Sequence, residues 1–151
     1  VVYQPIIDQT YTAEKGKGAY LNGKSIKVND ITEVKKLNII YTCGYTINRP
    51  YLGKLLGGFL GGEYKRVINN WSAAFEYCML ASGKVETLIT DNIEIHDFAA
   101  GKLIAIEAGA KIIDFSGHPE KSYLNTSFIA SNTDVVNAHI LSKIQPLQEG
   151  R

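Results

Sequence analysis

Apolar and polar positions along this chain follow two periods in turn. Val1–Tyr3 has strand character and Pro5 ends it. In Gln9–Glu14, Tyr11 and Ala13 face one way and Thr10 and Thr12 the other, the period of a half-buried strand. Asn22-Gly23 predicts a hairpin turn, because both central positions of a type I′ turn need positive φ, and Ile26 and Val28 continue the chain as strand. Lys36–Cys43 is a strand buried around Ile39, Ile40 and Tyr41. Helical spacing then enters at Pro50–Phe59 and again at Ser72–Ser82, with Ser72 as cap and Gly83 as stop. Short strands at Tyr64–Ile68 and Lys84–Thr90 fall between the helices. The stretch that follows Asp97 is apolar on nearly every face through Ala108, so it belongs between two layers, and Gly109 supplies the left-handed residue that ends it. Strands at Lys111–Phe115 and Ser127–Ala130 and a last helix from Thr133 or Asp134 to Ile144 complete the pattern. Strands first, then helices alternating with strands, predict an α/β fold: a mixed sheet with helices layered on it as an α/β/α sandwich, in one domain over residues 1–151.

Composition narrows the function classes. Hydrophobic residues make up 45% and charged residues 21% of 151 residues, ordinary for one packed domain. A net charge of +1 gives no electrostatic reason for nucleic acid or a membrane surface as partner. No apolar run approaches the roughly 20 residues a membrane span needs. Two cysteines, Cys43 and Cys78, are too few for a disulfide framework and are expected as buried thiols in a cytoplasmic protein. The opening Val1-Val2-Tyr3-Gln4-Pro5 starts mid-strand, the pattern of a piece of something longer.

Most catalytic signatures are missing. His96, His118 and His139 lack metal spacing, and neither a CxxC pair nor a G-x-S-x-G elbow occurs. The glycines of Lys15-Gly16-Lys17-Gly18 lack the third glycine and the following helix of a dinucleotide loop, so they belong to a hairpin. What stands out is acidic: Glu86, Asp91, Glu94 and Asp97 fall on a strand, a turn and a helix start. Such carboxylates suit a hard divalent cation such as Mg²⁺. The alternative is a solvated loop with Asp97 as a helix N-cap.

Three runs resemble the inositol monophosphatase family. Lys15-Gly16-Lys17-Gly18-Ala19-Tyr20-Leu21-Asn22-Gly23 is similar to its G-x-G-A-[FY]-x-N-G hairpin. Ser72-Ala73-Ala74, followed by Cys78, Ala81 and Gly83, is similar to its G-[ST]-A-A helix. Asp97-Phe98-Ala99-Ala100-Gly101 through Glu107-Ala108-Gly109-Ala110 is similar to its W-D-x-A-[AG]-G…E-A-G-G signature. The resemblance implies a Mg²⁺-dependent, lithium-sensitive phosphomonoesterase. Asp97 would be a metal ligand, and Ser72, Ala73 and Asp91 would line the site of a small sugar or inositol phosphate. Thr90 holds the family's acidic offset before Asp97, and Asp91 is the neighbour chosen for it.

The chain departs from the pattern in three ways. His96 stands where the family has tryptophan, and Trp71 where it has the glycine before Ser72. The family's other ligands, a glutamate pair and an Asp-Pro-x-Asp-Gly-Thr run, are not in this sequence. One carboxylate does not hold two Mg²⁺ ions, so the resemblance implies the C-terminal half of an enzyme, inactive by itself. An exposed apolar face, and with it a homodimer or a missing N-terminal half as partner, is then expected. The alternatives are a non-catalytic or split relative acting as an interaction domain, and a relative of 3′-phosphoadenosine phosphatase or fructose-1,6-bisphosphatase.

Overall fold

The computed structural model describes residues 1–69 and 72–150. Trp71, which stands in place of the family's glycine, lies outside them.

Four short strands, β1 (Val2–Gln4), β2 (Gln9–Ala13), β3 (Ala19–Leu21) and β4 (Lys24–Ile26), form an antiparallel sheet in sequence order. The predicted turn is there: Asn22 and Gly23 sit at φ 48° and 76°, between the paired Leu21 and Lys24. The second sheet takes β5 (Asn38–Cys43), β6 (Arg66–Asn69), β7 (Thr87–Asp91), β8 (Lys111–Asp114) and β9 (Phe128–Ser131), in the order β6-β5-β7-β9-β8. β9 runs against the other four.

Side-chain alternation on these strands decides the layers. Ile39, Tyr41, Ile89 and Ile129 face helices α1 (Arg49–Leu60) and α4 (Asp134–Ile144), through Tyr51, Leu55, Phe59, Val136, Ile140 and Ile144. Ile40, Leu88, Phe128 and Ala130 face α2 (Ala73–Ala81) and α3 (Ile95–Glu107), through Ala73, Tyr77, Leu80, Phe98 and Ala105. Full burial of one such large apolar side chain contributes about 1.5–3 kcal/mol. The expected α/β/α sandwich is therefore present.

A fourth layer lies outside it. The antiparallel sheet packs on the far side of α2 and α3, where Tyr11 and Ala19 meet Cys78, Ala81, Ile104 and Ala108. That is why the α3 sequence is apolar all round. α2 and α3 approach closely: a Cβ on Gly101 would stand 2.8 Å from Tyr77 Cβ and 2.9 Å from the Ala74 carbonyl oxygen. None of the helices of the described residues is long and apolar enough to cross a membrane.

Helix starts differ from expectation in two places. α3 begins at Ile95, with Glu94 at the cap position and no side-chain capping bond, so Asp97 lies inside the first turn and is not the N-cap. Isoleucine and histidine are tolerated in a first helical turn, and Phe98, the fourth residue of the helix, packs in the core. Ser72 stands at the cap position of α2, but its side chain makes no capping bond. Asn48 and Thr133 do cap, accepting from the Tyr51 and Val136 amides.

Candidate active site

β5, β6 and β7 are parallel, so α1, α2 and α3 all leave from one edge of the sheet. Ligands of open α/β sheets bind at this carboxyl edge. Two turns meet there. Gly44, after β5, donates its amide to the Asp91 carbonyl at 2.9 Å. A Cβ on Gly44 would stand 1.9 Å from the Asn92 carbonyl oxygen, so glycine alone permits the approach. Asn92 itself is left-handed at φ 54°, and its Nδ2 donates to the Thr46 Oγ1 at 3.0 Å. A third segment closes the edge: Ser127 Oγ accepts from the Asn92 amide at 2.9 Å, and the Thr126 carbonyl from the Ile93 amide at 3.3 Å.

Asp97 and Asp91 end up differently. The Asp97 side chain is 49% exposed, in the first turn of α3, where the positive helix end favours a carboxylate. His96 Nε2 lies 3.7 Å from its Oδ1 and is itself exposed. Asp91 is 1% exposed. Its Oδ2 accepts from the Tyr41 hydroxyl at 3.1 Å and its Oδ1 from Ser127 Oγ at 3.3 Å. Burial and the Asp91 carboxylate push the Tyr41 hydroxyl well above the usual tyrosine range, so Tyr41 stays a donor. Thr90 is also buried and bonds the Tyr77 hydroxyl at 2.5 Å.

Ser72 is exposed at the start of α2, at the same edge, while the Ala73 methyl is buried in the cluster that holds Phe98 of α3. The start of α2 and the first turn of α3 thus share one core. Glu76, in the first turn of α2, is fully buried, and among the described residues neither of its carboxylate oxygens accepts a hydrogen bond. Burial lifts its pKa to about 7, against a smaller opposing pull from the Ser72 backbone.

The acidic cluster does not assemble. Glu86 stands at the far end of β7, where it accepts from Asn29 Nδ2 at 2.8 Å, the Asn38 amide at 2.6 Å and Asn38 Nδ2 at 3.0 Å. Strand length separates it from Asp91. Among the described residues no group of three or more His, Cys, Asp or Glu side chains could hold a metal ion. The residues at this edge therefore fit one ligand, Asp97, and not a complete Mg²⁺ site. Cys78 is buried, with its thiol pushed up to about 12, which removes it as a nucleophile.

The glycine hairpin is bound to α3. Glu107 accepts from the Gly16 amide at 2.8 Å and the Gly18 amide at 2.9 Å, and these bonds hold its carboxyl below the usual carboxylate range. Gly16 and Gly18 sit at φ 78° and 84°. Two of the family-like runs are thus one structural joint. The Gly44–Asn48 turn was missed from sequence, because its place beside Asn92 depends on sheet pairing; a glycine directly after a buried strand is the signal that was available.

The profile of the inositol monophosphatase family matches residues 1–149. A protein named Nus factor SuhB, from Pasteurella multocida, is 29% identical over 152 residues, covering 97% of this chain and 54% of that protein. Inositol monophosphatase 2 of Solanum lycopersicum is 38% identical over 127 residues, covering 78% and 45%. The solved structure of an IMPase from Thermotoga maritima superposes with a TM-score of 0.83 at 28% identity, over 97% of this chain and 55% of that one. The chain spans about half the length of the curated relatives it matches. With the hairpin, the α2 start and the α3 signature placed in one packed unit, the chain belongs to the inositol monophosphatase family.

Proposed function

We propose that this chain is the C-terminal-type half of a Mg²⁺-dependent phosphomonoesterase, acting on a small sugar or inositol phosphate in the cytoplasm. The observation that carries the reading is Asp97: a half-exposed carboxylate in the first turn of α3, at the carboxyl edge, on the family's aspartate motif. Asp97 would hold the metal, which supplies the charge and the water activation that phosphate ester hydrolysis needs. Ser72, Ala73 and Asp91 would line the substrate side, with Asp91 kept in place by Tyr41 and Ser127.

The remaining ligands would come from a preceding half. The exposed apolar residues Val1, Tyr3, Ile6 and Ile7, along β1 and the turn after it, support a face meant for such a partner. On this reading the 151-residue chain by itself releases no phosphate. A longer version with the missing ligands turns over inositol phosphate, and Asp97→Asn removes most of that turnover. Mg²⁺-dependent phosphate release by the pure 151-residue chain, or unchanged turnover in the Asp97→Asn enzyme, would sink the reading.

A further inference from the structure

Lys102 lies in the middle of α3, and its side chain is 0% exposed. A buried ammonium is costly, and an apolar side chain of similar volume at such a position is often no less stable. The retained charge is occupied. Nζ donates to the Ser122 carbonyl at 2.7 Å, stands 3.7 Å from Glu120 Oε1 and lies 4.1 Å from the centre of the Phe128 ring.

Those contacts are made to the loop between β8 and β9. That loop has little apolar anchorage of its own: residues 121–124 are exposed, Leu124 at 88%. It is held by polar bonds that run in series. Glu120, 8% exposed, accepts from the Ser122 amide and, at 2.5 Å, from Asn125 Nδ2. Asn125 Oδ1 accepts from the Ser127 amide at 2.9 Å. Ser127 Oγ then meets the Asn92 amide and the Asp91 carboxylate. The series begins on α3 and ends at the turn from which α3 starts.

We propose that Lys102 is a positioning residue: through Glu120, Asn125 and Ser127 it fixes the Asp91–Asn92 turn, and hence the helix start that presents Asp97. The proposal rests on the reading of Asp91 and Asp97 as site residues, but its test needs neither metal nor substrate. The experiment is amide hydrogen exchange by NMR on the 151-residue chain, comparing Lys102→Met, Asn125→Ala and Tyr123→Ala with the parent.

Lys102→Met removes the charge at the head of the series. Asn125→Ala cuts the series without removing a charged side chain, which keeps the test open if the first variant does not fold. Tyr123 flanks Nζ at 5.3 Å but carries none of the bonds. Expected are about tenfold faster exchange at the Asn92 and Ile93 amides in the first two variants, no change there in Tyr123→Ala, and an unchanged Tyr11 amide in the antiparallel sheet in all three. Parent-like exchange at Asn92 and Ile93 in Asn125→Ala would overturn the proposal. So would acceleration at Tyr11 equal to that at Asn92, which marks global loosening only. A failed Asp97→Asn experiment with a positive exchange result would discard the enzymatic reading and leave the strut in place.

Discussion

Glu86 and Asp91 flank the same strand, and each is 1% exposed, yet their surroundings differ. Glu86 accepts from a backbone amide and two asparagine side chains, donors fixed by the chain itself, at 2.6–3.0 Å. It ties the segment before β5 and the Asn29 loop to β7. Asp91 accepts from two hydroxyls at 3.1 and 3.3 Å, and hydroxyls rotate. Asp91 ends the strand at the edge where β7 leads into α3, whereas the Glu86 carbonyl accepts from the Asn132 amide just before α4. One end of the strand is a clamp, and the other is the carboxyl edge from which α3 leaves.

The largest effect is expected at the clamp. Glu86→Ala leaves three part-buried donors without their acceptor and should cost about 2–4 kcal/mol, read as a lower urea midpoint. A loss no greater than that of Asp91→Asn would break the comparison.

Glu76 sharpens it, because among the described residues its buried carboxylate oxygens accept no hydrogen bond, and the pull of the Ser72 backbone is smaller than the effect of burial. Its folded pKa of about 7 lies above the ordinary glutamate value of 4.5, so the fold favours the protonated form. Its contribution is intact below the unfolded value, declines as pH rises from about 4.5 through 7, and is flat above. Glu76→Gln should remove that decline and be about 2–3 kcal/mol more stable than the parent at pH 8, with no advantage at pH 4. Parallel pH profiles of the two proteins would argue against it.

Asp91→Asn keeps the shape and one acceptor, and should cost about 1 kcal/mol in a thermal melt. The smallest effect is expected at Glu107. Glu107→Gln should speed amide exchange at Gly16 and Gly18 alone. In the parent the same joint should weaken as pH falls through the depressed carboxyl range, since only the carboxylate accepts both amides. Equal exchange in parent and variant at neutral pH would show that the hairpin holds its own shape.

The readings that survived from sequence are those that local chemistry controls. Asn22-Gly23 needs positive φ wherever it stands, and the Thr133 hydroxyl caps a helix without help from distant residues. The acidic cluster failed because closeness along the chain is not closeness in space when a strand intervenes. Asp97 as cap failed because α3 begins two residues earlier, at Ile95, with Glu94 at the cap position and no side-chain bond there to mark the start.

By itself the sequence determined the strands, the helices and the family motifs, because side-chain period and turn chemistry act over a few residues. Only the tertiary structure decided the fourth layer, the joint between Glu107 and the glycine hairpin, the meeting of the Gly44 and Asn92 turns, and the bonds from Lys102 to Ser127. Each of these depends on groups brought together from separate strands and loops. Their partners are chosen by sheet order and by the need to satisfy buried polar groups, and no short window of residues contains that information.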